Sequence, residues 1–338
     1  MIRGLIQTGS RAVRFFIAVV LAIAAVLAGA FAWVHTPMAQ QAEVVDLQVA
    51  AGASSREVAK RVQDAGVDVS ADLLYAWFRL SGKSRQIKAG SYEINQGTTP
   101  RDLLVKLVQG DQVLRTVTIV EGWTFPQARR ALAKAEFLKA QTQGLSDSDV
   151  MAALGRAGQA PEGRFFPDTY TYAKGSSDLD VLKSALQAMD KQLEAAWSLR
   201  QPGQYLQTPE QALVLASIIE KETGRTADQA LISAVFHNRL KIGMRLQTDP
   251  TVIYGLGEQF DGNLRRADLQ ADTPFNTYTR SGLPPTPISL AGKSALLAAV
   301  QPEASKALYF VARGDGSSQF SVTLDEHNQA VNKYQRGR

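Results

Sequence analysis

The residue types that could do chemistry converge on one carboxylate, Glu220, which ends the apolar run Ala212-Leu-Val-Leu-Ala-Ser-Ile-Ile219. Helical spacing commits Leu213, Leu215 and the isoleucines of this run to a core. An acid that emerges from such surroundings loses solvation, which favours its protonated form near neutral pH. A protonated carboxylic acid is the proton donor that cleavage of a glycosidic bond requires. Glu220 is therefore predicted to be a catalytic acid that acts on a polysaccharide.

A second carboxylate with suitable geometry is harder to find. Glu222 lies two positions further along the helix, about 200° around its axis, so it faces nearly opposite to Glu220. Together with Lys221 it is predicted to form a solvated helix end. Asp249 precedes a proline, where an acid is more often a helix N-cap, and Asp168 is equally equivocal. The residues thus support one good acid.

A single acid favours a reaction whose nucleophile belongs to the substrate, because hydrolysis with inversion or retention uses a second carboxylate. One group can act first as acid and then as base. Muramic acid in bacterial wall glycan carries a C6 hydroxyl that can attack its own ring and give a 1,6-anhydro sugar without consuming water. Two alternatives stay open: a muramidase that uses water with Asp249 or Asp168 as second acid, and a non-catalytic wall-binding scaffold.

Six polar and aromatic residues downstream of Glu220 are candidates for substrate binding. Asn238 shares a helical face with Leu231 and Val235, so its amide is either a buried hydrogen-bonding group or part of the site. The later candidates fall in a loop-rich stretch, where binding groups tend to occur. For each one taken singly, a structural role is at least as common. The six are Asn238, Gln247, Asp249, Tyr254, Asn276 and Tyr278.

The elements that must position these residues form a mixed α+β arrangement. Thr208-Pro-Glu-Gln211 is a capping box with proline at the first helical position; it opens the Glu220 helix, which Gly224 closes. Thr226-Ala-Asp-Gln229 is predicted to be a second capping box, for a helix that runs to Lys241. Residues 114–335 are predicted to be the catalytic domain. Its other elements are a strand at 116–120, helices at 125–139, 177–199 and 290–300, and a hairpin of strands 308–312 and 319–323.

A smaller module is predicted for residues 44–113. Its patterns indicate a strand at 44–49, helices at 55–64 and 71–81, a strand at 88–94 and a third helix that Gly110 ends. A unit of about 70 residues is small but can hold its own core.

The N-terminus carries an apolar run, 15–34, of about 20 residues without a charge, which is long enough to cross a hydrocarbon core. Three arginines precede it, and no acidic residue occurs before Glu43. That asymmetry predicts a cytoplasmic tail at 1–14, a transmembrane helix and an exported remainder. A cleavable signal peptide is the alternative, because Ala30-Phe-Ala32 fits a cleavage site; the length of the run favours an uncleaved anchor.

Composition excludes several classes of site. The 338 residues contain no cysteine, which rules out disulfides, cysteine-ligated metal and a thiol nucleophile. The three histidines show no metal-ligand spacing, and neither a metal nor another cofactor is predicted. Net charge is a mild +5, and no basic run is interleaved with aromatics, so nucleic-acid binding is not expected.

Several blocks of this sequence resemble the endolytic murein transglycosylases, the MltG or YceG-like family. The resemblance covers essentially all of the exported part in order, and its longest block, 243–254, is highly specific. A further segment, Lys88–Gly110, is similar to part of a LysM-like module of that family. The matching blocks are Glu121-Gly-Trp-Thr124, Phe165-Phe-Pro-Asp-Thr-Tyr170, Glu220-Lys-Glu-Thr223, Val235-Phe-His-Asn-Arg-Leu240, Gly243-Met-Arg-Leu-Gln-Thr-Asp-Pro-Thr-Val-Ile-Tyr254, Asn276-Thr-Tyr278 and Gly282-Leu-Pro-Pro-Thr-Pro-Ile288.

The resemblance implies a single-pass inner-membrane enzyme with a periplasmic catalytic domain. Such an enzyme cleaves nascent peptidoglycan strands internally and leaves 1,6-anhydro-muramic ends, which terminates their elongation. The catalytic glutamate of the family matches Glu220. The resemblance also implies proximity to peptidoglycan synthases, for which the residues themselves offer no sign.

Overall fold

The structure is a computed structural model that describes the backbone from Ile2 to Gly337 and the side chains from Val13 onward. Of the predicted cytoplasmic tail at 1–14, Met1 and the side chains of 2–12 lie outside the described residues. The chain divides into two compact units. The first comprises residues up to 115 together with 173–175, and the second comprises 116–172 and the residues from 176 onward.

A long apolar helix begins the first unit. This helix, α1, spans Ile2–Val34, and its stretch Val13–His35 is long and apolar enough to cross a membrane. Residues 13–32 of this stretch are all exposed. At its end, Val34 is buried and Trp33 packs on the core of the first unit.

The rest of the first unit packs helices against short antiparallel strand pairs. Val45, Leu47 and Val49 alternate inward along β2, as the period of a half-buried strand requires. β2 pairs with β4 from Val44 opposite Asn95 to Val49 opposite Gly90, and β1 pairs with β3. The elements are β1 (Ala39–Gln40), β2 (Val44–Val49), α2 (Ser55–Asp64), β3 (Val67–Asp68), α3 (Ala71–Leu80), β4 (Gly90–Asn95) and α4 (Pro100–Gln109).

The ends of these helices are encoded locally. The hydroxyl of Thr99 accepts the backbone N–H of Asp102, and Pro100 occupies the first turn of α4. Gly110 ends the helix in the left-handed region, at φ 74°, which glycine adopts without steric cost. The predicted order of the larger elements is present in this unit, and β1 with β3 is an additional short pair.

The second unit is mainly helical. Its core gathers residues of α7, α8, α9 and α12, including Leu213, Ile218 and Phe236, around the fully buried middle of α8. In this part of the chain β5 and β6 pair with each other, and β7 and β8 form an antiparallel hairpin. The elements are β5 (Leu114–Thr118), α5 (Phe125–Ala133), α6 (Asp147–Ala153), β6 (Thr169–Ala173), α7 (Asp178–Ser198), α8 (Pro209–Glu222), α9 (Thr226–Lys241), α10 (Asp249–Leu256), α11 (Arg266–Gln270), α12 (Lys293–Val300), β7 (Tyr309–Ala312), β8 (Ser318–Ser321) and α13 (Leu324–Tyr334).

Several predicted boundaries in this unit are wrong. The helix expected at 125–139 ends at Ala133, and the stretch expected to be loop-rich also contains the short helices α10 and α11. The capping box predicted at Thr226 is absent, because Arg225 is the N-cap and the Asp228 carboxylate instead accepts the backbone N–H of Ser318 at 2.9 Å. The final helix, α13, was not predicted.

Candidate active site

The helix α8 delivers Glu220 to the site. The Thr208 hydroxyl caps its start by accepting the N–H of Gln211 at 3.2 Å, and Pro209 is its first residue. The eight residues 212–219 are all buried, so Glu220 is the first polar group to emerge from the core. The local sequence therefore fixes both the direction of the helix and the point where the acid leaves the apolar interior.

A chain segment, residues 286–292, runs beside the end of α8 and supplies a hydrogen-bond donor to Glu220. The buried Ser217 anchors it: its hydroxyl accepts the N–H of Ile288, and its carbonyl accepts the Ser289 hydroxyl, both at 3.0 Å. Further along the segment, the N–H of Gly292 donates to Oε2 of Glu220 at 3.0 Å. Gly292 is the N-cap of α12 and brings no capping side chain of its own.

The carboxylate of Glu220 is half-buried, and its pKa is raised. Burial is the largest cause, because it penalises the charged form. The hydrogen bond from the Gly292 N–H lowers this pKa, the negative charge of Glu121 raises it, and the positive charge of Lys221 lowers it. A raised pKa keeps the proton on the carboxyl group to a higher pH than usual, which suits a general acid.

The loop before α5 lies against Glu220. Gly122 and Trp123 exchange backbone hydrogen bonds with Leu290, at 2.9 Å and 2.7 Å, which ties this loop to the 286–292 segment. The Lys221 ammonium donates to the carbonyl of Gly122 at 3.2 Å. A Cβ atom at Gly122 would lie 3.9 Å from Cγ of Glu220. Glu121, which the sequence marked only as part of a matching block, thereby reaches the site.

A second buried acid, Glu162, supports the same loop. Only 3% of Glu162 is exposed, and its carboxylate accepts the backbone N–H of Phe125 at 3.0 Å and that of Gly163 at 3.3 Å. Burial raises the pKa of Glu162 to about 7, against these hydrogen bonds and one with the Tyr254 hydroxyl. The predicted binding residue Tyr254 also packs edge-on against Phe275. No spacing signal in the sequence marks Glu162.

Glu222 is the clearest correction to the sequence analysis. Its carboxylate is enclosed rather than solvated, and it accepts a short hydrogen bond from the Thr248 hydroxyl. Burial raises the pKa of Glu222 to about 7, and the charge of Asp249 adds to the rise. The prediction of a solvated helix end is wrong for this residue because the start of α10 covers that side of α8.

Asp249 and Tyr278 form an outward-facing pair next to this contact. The Tyr278 hydroxyl donates to Oδ1 of Asp249 at 2.6 Å, and burial raises the pKa of Tyr278. Asp249 is the first residue of α10 and Thr248 is its N-cap, so the N-cap role considered for Asp249 is wrong. Gln247 is exposed and has a positive φ of 49°, a strained backbone for a residue with a side chain.

The two predicted asparagines bind backbone. The Asn238 amide donates to the carbonyls of Ser305 and Ala307, at 2.9 Å and 3.0 Å. The fully buried Asn276 donates to three carbonyls between residues 268 and 271 and accepts the N–H of Tyr278. The structure therefore gives both amides loop-holding contacts, and neither has a described contact with Glu220.

The other predicted acid, Asp168, has no described contact with Glu220. Asp168 is exposed and its carboxylate accepts the N–H of its own neighbour, Thr169, at 2.7 Å. Within residues 2–337, no group of three or more His, Cys, Asp or Glu side chains has the arrangement of a metal site.

Known proteins are similar to this chain over most of its length. The sequence profile of the YceG-like family matches residues 47–333. A Bacillus subtilis (strain 168) protein named endolytic murein transglycosylase is 31% identical over 315 residues, covering 86% of this chain and 84% of that protein. A Streptococcus pneumoniae serotype 2 protein of the same name is 27% identical, and the match covers 87% of this chain but 59% of the relative.

Among solved structures, the crystal structure of a YceG-like protein from Listeria monocytogenes superposes with a TM-score of 0.53. The two chains are 30% identical, and the match covers 85% of this chain and 98% of the other.

Proposed function

Because this chain belongs to the YceG-like family, we propose that it is an endolytic lytic transglycosylase of peptidoglycan. It cleaves the bond between N-acetylmuramic acid and N-acetylglucosamine inside a glycan strand and leaves a 1,6-anhydro-muramic end. The observation that carries this proposal is the position of Glu220, half-buried where α8 leaves the core and held by a single backbone N–H.

Glu220 acts in two steps of the reaction. Protonated Glu220 donates its proton to the bridging oxygen, and the bond from that oxygen to C1 of muramic acid breaks. The C6 hydroxyl of the same sugar then attacks C1, and Glu220 takes the hydroxyl proton. A C6–O–C1 bond has replaced the glycosidic bond, no water is consumed, and Glu220 is protonated again.

Substrate contacts are proposed for the residues that face outward. Gln247, Asp249 and Tyr278 are partly or fully exposed, and strained backbone such as that of Gln247 is characteristic of binding sites. Tyr254 contributes a partly buried ring. The amides of Asn238 and Asn276 are already engaged by backbone carbonyls, so we assign them the task of shaping this surface.

The decisive experiment uses the full chain in detergent with purified glycan strands. Mass spectrometry of the products should find new anhydro ends. Hydrolysis would yield products heavier by one water per cut, and that result, or activity retained in Glu220→Gln, would reject the proposal.

We further propose that α1 anchors the protein in the inner membrane with its N-terminus in the cytoplasm, where it acts on strands as synthases extend them. The chain has no native cysteine, so single introduced cysteines give an unambiguous topology test. In intact cells, a maleimide that crosses only the outer membrane should label Ser198→Cys and leave Ser10→Cys unmodified. Labelling of position 10 would contradict this orientation.

Residues 44–113, which follow α1 in the first unit, are proposed to be a LysM-like module that engages glycan. Its removal should weaken binding to isolated strands more than it slows cleavage per bound strand. Unchanged affinity in a chain that lacks residues 44–113 would contradict this role.

A further inference from the structure

Two carboxylates meet at one glycine in the site. The backbone N–H of Gly292 donates to Oε2 of Glu220. The carboxylate of Glu121 lies over the Cα atom of the same residue, in the space that a side chain at position 292 would fill. Glu121 and Glu220 therefore approach each other, although 99 positions separate them in the chain.

The surroundings of Gly292, and not its backbone conformation, explain why this position has no side chain. Its φ of −77° and ψ of 173° are ordinary for any residue, so backbone strain is not the reason for glycine here. The three atoms that a Cβ atom would meet first all belong to the Glu121 side chain. The glycine thus makes room for a carboxylate.

Glu121 is placed by its backbone rather than by side-chain partners. The next residue, Gly122, is hydrogen-bonded to Leu290 and receives the ammonium of Lys221 on its carbonyl. Glu121 itself is exposed and, among the residues that the structure describes, has no hydrogen bond or ion pair. An exposed carboxylate without a hydrogen-bond or ion-pair partner gains nothing from lying beside another acid.

The charged groups around Glu220 come from three elements. Lys221 lies on its own helix and its ammonium is directed to the loop carbonyl of Gly122. Glu121 is contributed by that loop, and it is the one negative charge that raises the pKa of Glu220. Lys293, at the start of α12, is exposed and is not among the charges that act on Glu220.

We propose that Glu121 is a positioning residue of the reaction, a negatively charged partner that keeps the proton on Glu220 until the glycosidic oxygen takes it. This role rests on the proposed function, because it concerns the first step of that reaction. Two neighbouring carboxylates cannot both ionise freely, and the more buried one keeps its proton. Glu121 is the exposed member of the pair, so Glu220 is the one that holds the proton.

The first test is the pH dependence of cleavage by Glu121→Gln in the full chain. Loss of the negative charge lowers the pKa of Glu220, so the alkaline limb of the activity profile moves to lower pH. We expect activity about fivefold below wild type on the alkaline limb and equal to it on the acid side, where both proteins hold the proton. An unmoved profile, or an equal loss at every pH, would overturn the proposal. Glu194→Gln, an exposed acid on α7, is the matched control and should leave the profile unchanged.

Gly292→Ala gives a second, independent test. The backbone at 292 accepts alanine, while the new Cβ must displace the flexible Glu121 side chain. The variant should therefore show the same alkaline loss as Glu121→Gln, and the double variant should lose no more than either single one. Additive losses would mean that the two positions act separately and would reject the shared role.

A direct titration separates this proposal from the proposed function. Glutamate labelled with carbon-13 at the side-chain carboxyl reports the protonation of Glu220 in the full chain, and the Glu220→Gln variant assigns its signal. The titration of Glu220 should move to lower pH in Glu121→Gln whether or not the protein cleaves glycan. An unchanged titration would overturn the role of Glu121 while leaving the enzymatic assignment intact.

Discussion

Two glutamates two residues apart at the end of α8 occupy different kinds of environment. Both Glu220 and Glu222 are desolvated, and burial raises the pKa of both. Glu220 has one backbone donor, beside a loop and a chain segment, and the described residues leave its other oxygen without a hydrogen bond. Glu222 is enclosed under the Thr248 hydroxyl at the start of α10. A raised pKa therefore does not distinguish a reactive acid from a structural one, whereas access and hydrogen bonding do.

The largest expected difference between the two is catalytic. Glu220→Gln preserves the shape and the acceptor oxygen for the Gly292 N–H but cannot deliver a proton. Cleavage should fall by about a thousandfold or more, while thermal unfolding stays near that of the wild type. The rate of formation of anhydro ends measures the first effect. Appreciable remaining activity would make the two glutamates equivalent and remove the basis of the comparison.

The matched change, Glu222→Gln, should act on stability and spare activity. Glu222 binds a proton more tightly in the folded state, with a pKa of about 7, than in the unfolded chain. Its contribution to the free energy of unfolding is therefore greatest below pH 4.5 and declines, by up to about 3 kcal/mol, as the pH rises to 7 and above. Glutamine at this position removes the decline and still accepts the hydrogen bond from the Thr248 hydroxyl. The activity of the variant should therefore stay within about twofold of wild type.

Denaturant unfolding at pH 5 and pH 8 measures this effect. Glu162, which also has a pKa of about 7, should retain its own share of the pH dependence in the variant. A slope identical to that of the wild type would indicate that Glu222 is solvated after all.

The truncation Glu222→Ala should lower the free energy of unfolding at acid pH as well. It leaves the buried Thr248 hydroxyl without its partner, which costs about 2 kcal/mol in unfolding free energy. Activity per folded molecule should fall less than it does in Glu220→Gln. Calorimetry measures the loss of stability in this variant, and the cleavage assay measures its loss of activity. Wild-type stability in this variant would show that Thr248 finds another partner.

The smallest effect is expected at the outward pair beside Glu222. Tyr278→Phe loses the hydrogen bond to Asp249, worth about 1 kcal/mol or less at a partly exposed site. If the pair binds glycan as proposed, KM should rise a few-fold with kcat nearly unchanged. A fall in kcat alone would connect Tyr278 with the chemistry of Glu220.

The sequence analysis succeeds where information is local. Thr208 and Pro209 specify the start of α8, the apolar run specifies its buried middle, and helical geometry correctly separates the surroundings of Glu220 from those of Glu222. It fails where the partner is distant in the chain. Thr248 encloses Glu222 from 26 positions away, and nothing in the residues around Glu222 indicates that contact.

The same distinction applies to the residues that were missed. Glu121 reaches the site through the backbone hydrogen bonds of its neighbour Gly122, and Glu162 through its carboxylate, which accepts the N–H of Phe125. No periodicity in the sequence indicates either contact. Helix α13 is a different case, because the capping box of Thr323 and Glu326 is a sequence pattern that predicts the start of a helix. The roles of Asn238 and Asn276 could not be decided in advance, since an amide that holds a loop and an amide that holds a sugar look the same in a sequence.

The bond from Gly292 to Glu220 also has a consequence for α12. This helix begins without a side-chain cap, and a carboxylate from another helix occupies the place that a capping acid of its own would take. An ionised acid holds a helix start more strongly than a neutral one, since the bond becomes charge-assisted and the helix dipole favours it. Each proton that Glu220 releases should therefore tighten the first turn of α12, and each proton it regains should loosen it. Amide hydrogen exchange at that turn becomes a substrate-free reporter of the state of the acid.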